Sequence, residues 1–356
     1  NRFHAGCENV DQIERLTIDR GKKLFGSDHV NVQPHSGTSA NLSVYFSVLD
    51  VGDTILAMSL PHGGHLSHGH KASITSKCFN FQHYSVDLDS ELIDYEQVHS
   101  LAQKYSPRMI VAGASAYPRL IDYKKMSEIA QDVSAYLLVD MAHIAGLVAA
   151  DIIPSPVPWS DFVTFTSYKT MMGGRGGIIL CRKKYAKKVD STVFPGTQGT
   201  SPVSNIAAKG LCFKMALDNP LYSKMQQRTV DCAKRLANQL ESYGYRIVTG
   251  GTDNHQVIVD VGSFHLNGSF CEKQLEKVGI NTNRNLIPRD SLSEGSLSGV
   301  RLGTAALVRR GMDYEIDHIA YLLHKTLQHA DNDDELINLR NEVYKLTELY
   351  PVYQTI

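Results

Sequence analysis

The sequence lacks the features that direct a protein to nucleic acid or to an oxidising compartment. It has no basic tract, and 36 Lys and Arg residues against 37 Asp and Glu residues give a formal net charge of -1. Because nucleic-acid binding depends on clustered positive charge, we expect no nucleic-acid partner. The six cysteines are dispersed and form no C-x-x-C pair. This usage is typical of reduced cytoplasmic thiols, so we expect a cytoplasmic protein without disulfides.

Long apolar runs are also missing. The longest mostly apolar stretch, 135–153, contains Asp140 and His143, and Pro154 closes it. A buried strand followed by a turn and a helix explains this pattern better than a membrane span, so we expect no membrane partner. No signal peptide is visible, and because the sequence opens at Asn1 without a methionine, we expect it to be part of a longer chain.

With 356 residues, of which 42% are hydrophobic, the chain is long enough for one large domain and a smaller one. Short apolar strands alternate with amphipathic helices in its middle part, which predicts a mainly parallel sheet with helices on its faces. Asn219 and Pro220 then begin a long helix that stops at Gly244. We predict an α/β fold with a large domain over 1–217 and a small C-terminal α/β domain over 218–356. The strands predicted most clearly are 109–114, 135–140, 162–166 and 178–181.

A lysine in a glycine-dense loop is the first candidate catalytic residue. The stretch 161–182, DFVTFTSYKTMMGGRGGIILCR, has two apolar, β-branched runs on either side of a polar insert that contains Lys169. Burial lowers the pKa of a lysine and frees its lone pair to form a Schiff base. Most lysines are solvated surface charges, so this pattern alone is a weak indication.

Asp140 strengthens that interpretation. It ends the predicted strand 135–140, and a carboxylate at the end of a buried strand needs a partner. Together with Lys169 it indicates a pyridoxal phosphate (PLP) site, in which an acid pairs with the pyridinium nitrogen and a lysine holds the aldehyde carbon. A helix cap or an ion pair with an arginine is the alternative for Asp140.

A Ser-Gly-Thr-Ser turn precedes a helix predicted over 42–49. The free N–H groups at such a helix start converge on an anion, so Gly37 and Thr38 are candidates for phosphate binding. A plain serine cap is the alternative.

The stretch 60–70 holds four histidines and three glycines but no acid. We therefore favour His65 as a flat platform for a planar ligand over a metal site, and expect no metal.

Other candidates follow predicted strands. Ser115, His143 and Lys169 each come just after one, and ligands of parallel sheets bind at the carboxyl ends of strands. Arg301, close to the turn at Gly303, is placed to bind a carboxylate through its forked guanidinium. An ordinary surface ion pair is the alternative for Arg301.

These motifs together resemble the serine hydroxymethyltransferase family of fold-type I PLP enzymes. The resemblance covers nearly the whole chain. It rests on ordered segments at 33–37 (QPHSG), 62–65 (HGGH), 111–119 (VAGASAYPR), 140–150 (DMAHIAGLVAA), 169–177 (KTMMGGRGG), 194–196 (FPG), 251–255 (GTDNH) and 301–304 (RLGT).

The resemblance implies PLP as the cofactor and a role for each matching residue. These are Lys169 on the cofactor aldehyde, Asp140 on the pyridinium nitrogen, His65 against the ring, Ser115 and His143 near the ring hydroxyl, Gly37 and Thr38 on the phosphate, and Arg301 on the substrate carboxylate. It also implies a homodimer with shared active sites, in which the loop with Gly199 and Thr200 reaches the cofactor of the neighbouring subunit.

Three departures from the family pattern bear on the substrate. A Tyr-Tyr pair of the family is replaced by Phe3 and His4, which makes His4 a candidate substrate-binding residue. The family's Thr-His-Lys-Thr is SYKT here, so a phenol, Tyr168, stands beside Lys169 as a further candidate catalytic residue in place of an imidazole. The family's Gln-Gly-Gly-Pro is QGTS over 198–201.

These departures favour a divergent branch, the L-threonine transaldolases. Such an enzyme exchanges the acetaldehyde part of threonine for another aldehyde, without folate, and forms a new β-hydroxy-α-amino acid. The alternative is serine hydroxymethyltransferase itself, which uses serine and tetrahydrofolate. A catalytically silent scaffold that binds a partner is less favoured, because a scaffold has no need of Lys169, Asp140, His65 and Arg301.

Overall fold

Seven strands form the main sheet of the protein, seen in a computed structural model that describes residues 4–290 and 297–352. Their bounds are β1 His29–Asn31, β2 Thr54–Met58, β3 Asn80–Tyr84, β4 Met109–Ala112, β5 Tyr136–Asp140, β6 Phe162–Thr166 and β7 Gly177–Cys181. The strand order is β1-β7-β6-β5-β4-β2-β3. All neighbours are parallel except the pairs that β7 makes with β6 and β1. The predicted α/β class with a mainly parallel sheet is therefore confirmed.

Helices cover both faces of this sheet. Their bounds are α1 Glu8–Phe25, α2 Gly37–Val48, α3 Thr75–Cys78, α4 Tyr95–Tyr105, α5 Tyr123–Asp132, α6 Ala145–Ala149, α7 Ala186–Ser191, α8 Val203–Asp218 and α9 Pro220–Ser242. All residues of β4, β6 and β7 are buried, because these apolar strands have helices on either side. Two apolar cores result, one on each face.

A second, antiparallel sheet follows in the C-terminal part. It has the order β10-β11-β9-β8. Its strands are β8 Arg246–Ile247, β9 Gln256–Asp260, β10 Asn283–Asn285 and β11 Gly299–Gly303, and its helices are α10 Gly268–Lys277, α11 Ala305–Arg309, α12 Ile316–Gln328 and α13 Asp333–Leu349. A separate apolar core packs between this sheet and its helices. The break between α8 and α9 falls at Asn219, and the division at 217 and 218 stays a prediction.

The start of α2 differs from its prediction. The helix begins at Gly37 rather than at residue 42, because Ser36 caps it with its hydroxyl oxygen, which accepts a hydrogen bond from the Ser39 N–H over 3.1 Å. The Ser-Gly-Thr-Ser turn is therefore the first turn of the helix.

Within the described residues, no helix is both long and apolar enough to cross a bilayer. All six cysteine thiols are free.

Candidate active site

The carboxyl ends of β4, β5 and β6 open onto a cavity of about 320 Å³. Parallel strands that end at one edge bring their following loops together, which explains why residues far apart in the chain meet here. The sequence-predicted residues that line the cavity are Gly37, Thr38, His65, Ser115, Asp140, His143, Tyr168 and Lys169. Close backbone approach is required directly after β4, where Gly113 has φ +147° and a Cβ would overlap the main-chain carbonyl of Asp140.

Lys169 follows β6 and is half-buried in the cavity wall. Burial lowers the pKa of its ammonium group, the charge of Asp140 raises it, and the charge of Arg301 lowers it again, with a net shift below the ordinary value. A lysine of lowered pKa keeps a larger fraction of neutral amine near pH 7. The environment therefore suits an amine that attacks an aldehyde.

Asp140 lies at the end of β5 with only 8% of its surface exposed. Its Oδ2 accepts hydrogen bonds from Asn41 Nδ2 at 2.8 Å and from His68 Nε2 at 3.1 Å, and its Oδ1 accepts one from the Ala142 N–H at 3.0 Å. Burial raises the pKa of this carboxyl, but the hydrogen bonds from His68 and Asn41 and the fields of His68 and His65 outweigh it, so that the net pKa is well below its usual range. Asp140 is therefore an anion with about one lone pair still open to a further donor.

His65 and His68 come from the histidine-rich stretch 60–70, whose backbone fixes both rings. The Ser67 N–H donates to Nδ1 of His65 at 3.1 Å, and the His65 N–H donates to Nδ1 of His68 at 3.3 Å. In both rings Nδ1 is thus an acceptor, which puts the proton of each neutral ring on Nε2. Burial lowers the pKa of His65 to about 4, so this imidazole is neutral near pH 7.

The fold brings a carboxylate to these histidines that the sequence did not show nearby. The ligand atoms of His65, His68 and Asp140 lie within 4.8 Å of one another, a spacing that could suit a metal ion. Nε2 of His68, however, already points its proton at Asp140, and a protonated nitrogen cannot be a ligand. The donor set therefore fits a hydrogen-bonded pair better than a metal centre.

The N-terminus of α2 faces the same cavity through Gly37 and Thr38. The N–H groups of a helix's first turn have no intrahelical acceptor, and the helix dipole adds positive potential there. A Cβ at Gly37 would lie 3.0 Å from Cγ2 of Thr166, so the absence of a side chain keeps this end of the cavity open. These features suit an anion such as a phosphate.

Arg301 on β11 of the second sheet contacts Ser115, one of the residues that line the cavity. Its Nη1 donates to the main-chain oxygen of Ser115 at 2.6 Å, and burial lowers the pKa of its guanidinium. Guanidinium groups stay charged in proteins even so, which leaves a half-buried cation whose charge acts on Lys169 and His143. Such a group can bind a carboxylate that enters the cavity.

Tyr168 and Arg175 form a stacked pair in the wall beside Lys169. The guanidinium carbon of Arg175 lies 4.9 Å from the centre of the Tyr168 ring, and both residues line the cavity. This geometry is that of a cation–π contact. The ring is therefore held in one place next to the candidate Schiff-base lysine.

Three predicted residues lie elsewhere in this chain. His4 and Thr200 line a separate cavity of about 710 Å³, together with residues of α1 and β1. Gly199 and Thr200 are exposed, and the Thr200 carbonyl oxygen lies 3.3 Å from Nε2 of His35. Phe3 lies outside the described residues. The larger cavity contains none of the lysine, carboxylate and helix-terminus groups described above, so we place the candidate active site in the smaller one.

Two residues that bind Asp140, Asn41 and His68, were not predicted from the sequence. Asn41 is on a buried turn of α2, and its side chain also accepts a hydrogen bond from Thr164 at 2.6 Å. His68 is in the histidine-rich stretch, where four candidates competed. For Asn41, the sequence offered one indication, an asparagine among apolar residues of a helix. A buried amide at such a position requires hydrogen-bond partners.

An amine of lowered pKa, an ionised carboxylate and an anion-binding helix end surround one strand-end cavity, an arrangement typical of α/β enzymes that use PLP. The three groups fit the aldehyde, the pyridine nitrogen and the phosphate of that cofactor. The family model described as Serine hydroxymethyltransferase matches residues 1–322, and the chain belongs to that family. The family comprises PLP-dependent transferases and aldolases, so the predictions of an enzyme and of its family are confirmed.

Proposed function

We propose that this protein is a PLP-dependent L-threonine transaldolase that works without folate. The Cα–Cβ bond of L-threonine breaks, the hydroxyl proton passes to a base and acetaldehyde leaves. The electron pair at Cα then attacks the carbonyl carbon of a second aldehyde, and the alkoxide formed takes up the proton. Bonds, protons and electrons balance, so the reaction needs no oxidant or reductant.

The observation that carries the proposal is the supply of protons around Lys169. The neighbouring position holds Tyr168, whose ring is stacked under Arg175, where the family pattern has an imidazole. Burial lowers the pKa of His143 well below its ordinary value and that of His65 to about 4, so neither lining imidazole carries an extra proton near pH 7. Slow protonation of Cα leaves time for a second aldehyde to be captured.

The chain's own residues then have distinct tasks. Lys169 would hold the cofactor aldehyde, and Arg301 would bind the substrate carboxylate. Asp140 would keep the pyridine nitrogen protonated, His65 would lie against the ring, and Gly37 and Thr38 would hold the phosphate. When bound, PLP supplies the electron sink that accepts the electron pair of the broken bond. Ser115 and His143 would contact the ring hydroxyl.

Serine hydroxymethyltransferase activity is the alternative, and the family match is compatible with both functions. In that case serine is the donor and tetrahydrofolate accepts the one-carbon unit. The two functions use the same lysine, carboxylate and arginine, so substrate trials separate them and variants of those residues do not.

We also propose a homodimer. Gly199 and Thr200 are exposed in this chain and lie outside its own cavity, which is consistent with their serving the cofactor of a partner subunit. Light scattering after gel filtration tests the dimer. Replacing Thr200 with an acidic residue (Thr200→Glu) should weaken PLP binding without changing the fold if the loop completes the partner's site, because its carboxylate would repel the phosphate, and should leave PLP binding unchanged if the loop does not.

The decisive trial incubates PLP-loaded protein with L-threonine and benzaldehyde in the absence of folate. We expect acetaldehyde and an aromatic β-hydroxy-α-amino acid in equal amounts, and none of either with Lys169→Ala. No such amino acid, together with rapid serine cleavage in the presence of tetrahydrofolate, would return the protein to the hydroxymethyltransferase function.

Tyr168→His is a matched variant for the role of the phenol. It restores an imidazole beside Lys169 and should divert the reaction from aldehyde capture to release of glycine. Tyr168→Phe keeps the ring on Arg175 and should leave the ratio of the two products nearly unchanged. An unchanged ratio of the two products in Tyr168→His would contradict the proposal that the missing imidazole beside Lys169 favours aldehyde capture.

A further inference from the structure

Gln256 is a buried amide that belongs to the second sheet but faces the cavity residues of the first. It is the first residue of β9 and only 3% of its surface is exposed. Its Nε2 lies 2.9 Å from the main-chain oxygen of Ser115 and 2.8 Å from Nδ1 of His143. Both Ser115 and His143 line the candidate active site.

The orientation of this amide follows from its partners. A carbonyl oxygen can only accept a hydrogen bond, so the group of Gln256 that faces Ser115 has to be the NH₂. That NH₂ has two hydrogens, and the second one points to Nδ1 of His143. Nδ1 is therefore an acceptor without a proton of its own, and a neutral His143 carries its proton on Nε2.

The surroundings keep the ring neutral. His255 stacks on His143 with ring centres 5.8 Å apart and planes inclined by 18°, and Lys169 and Arg301 are the cations that face it. Burial and these neighbours lower the pKa of His143 well below its ordinary value, and only the charge of Asp140 raises it. An imidazolium would also put a proton on Nδ1, against the NH₂ of Gln256.

The same amide joins His143 to Arg301. Arg301 on β11 donates to the Ser115 oxygen at 2.6 Å, the atom that also accepts from Gln256. β9 and β11 are adjacent antiparallel strands, so the two donors come from one rigid pair of strands. A shift of Arg301 would therefore disturb the hydrogen bond that orients His143.

We propose that Gln256 is a positioning residue that fixes His143 in the tautomer with its proton on Nε2, so that His143 is a hydrogen-bond donor to the ligand of the cavity. The role toward the cofactor's ring oxygen rests on the proposed function. The tautomer itself follows from the protein's own hydrogen bonds and is measurable in protein free of cofactor.

Long-range ¹H–¹⁵N correlation spectra of ¹⁵N-histidine-labelled full-length protein test the assignment. The His143 signal is identified by its loss in His143→Asn, and we expect the pattern of an Nε2-protonated neutral ring in the wild type. A proton on Nδ1 in the wild type would overturn the proposal without any variant.

Two variants with side chains about as long as that of glutamine test whether Gln256 fixes the tautomer of His143. Gln256→Glu presents a carboxylate, which should draw a proton onto Nδ1 of His143, whereas Gln256→Met offers no donor and should give mixed tautomers. Gln274→Met removes a buried amide from α10, away from the cavity, and should leave the His143 signal unchanged. A His143 signal that is the same in Gln256→Glu, Gln256→Met and the wild type would show that Gln256 has no such role.

Cofactor binding gives a second, separate readout. Loss of one oriented hydrogen bond in Gln256→Met should raise the Kd for PLP about fivefold. If the wild type shows the Nε2 proton but no reaction of threonine with benzaldehyde, the proposed function fails and the tautomer assignment stands. If threonine reacts but Nδ1 carries the proton, the proposed function stands and the tautomer assignment fails.

Discussion

His68 donates the proton of its Nε2 to Oδ2 of Asp140 across 3.1 Å, and both side chains are almost fully buried. The other ring nitrogen accepts the His65 N–H, so the loop itself aims the ring at the carboxylate. This pair helps to keep Asp140 ionised, which a protonated pyridine nitrogen requires of its partner.

We therefore expect His68→Phe to weaken PLP binding. A hydrogen bond to a buried charge is lost, which corresponds to an increase in Kd of about 10- to 100-fold. Fluorescence titration with PLP measures the change. His70→Phe is the matched control from the same loop: the ring of His70 accepts a hydrogen bond from the Ala72 N–H, and this variant should bind PLP like the wild type. Equal Kd values for both variants would show that the pair does not support the cofactor.

Gly37→Ala tests the helix end as a phosphate site. The added Cβ would meet Cγ2 of Thr166 at 3.0 Å and would also project beside the N–H groups that bind the anion. PLP affinity should fall by about tenfold or more, while pyridoxal, which has no phosphate, should be affected less. The double variant Gly37→Ala with Thr166→Ser removes the contacting methyl group and should recover part of the loss. Equal losses for PLP and pyridoxal would place the phosphate elsewhere.

Lys209 on α8 is a fully buried cation outside the proposed reaction. Its Nζ donates to the main-chain oxygens of Val32 at 2.6 Å, Gly177 at 3.0 Å and Pro34 at 3.3 Å. It thus ties the segment before the phosphate-binding turn to the start of β7. Burial lowers the pKa of Lys209 to about 7, against the opposing charge of Glu14.

This lowered pKa gives a signed prediction for stability. Between pH 7 and the ordinary range of lysine, the unfolded chain holds a proton on residue 209 that the folded chain has partly lost, so folding is favoured as pH rises. The free energy of unfolding of the wild type minus that of Lys209→Met should therefore grow from pH 7 to pH 9. Urea unfolding at both pH values, with Lys214→Met as the exposed control, measures it. A difference that stays constant with pH would mean that Lys209 keeps its ordinary pKa.

Much of the fold was predictable because its central strands are apolar on both faces. The predicted strand 162–166 matches β6, and the others near the sheet centre differ at their ends by one or two residues. The strands β1 and β10 have three residues each, which is too short for a hydrophobic pattern that would predict a strand. Lys169 and Asp140 were found because each follows or ends such a strand. Asn41 and His68 were not, because their bonds to Asp140 join residues 99 and 72 positions apart, and only the fold brings them together.

Borohydride reduction of the PLP-loaded protein, followed by mass spectrometry of its peptides, tests the central claim most directly. Reduction fixes the cofactor to the amine that holds it. We predict the label on Lys169 and its absence from Lys209, the other lysine with a lowered pKa. In Asp140→Ala, weaker cofactor retention should reduce the labelling. A label on a different lysine, or labelling of Lys169 that is equal in the wild type and in Asp140→Ala, would contradict a ring held between these two residues.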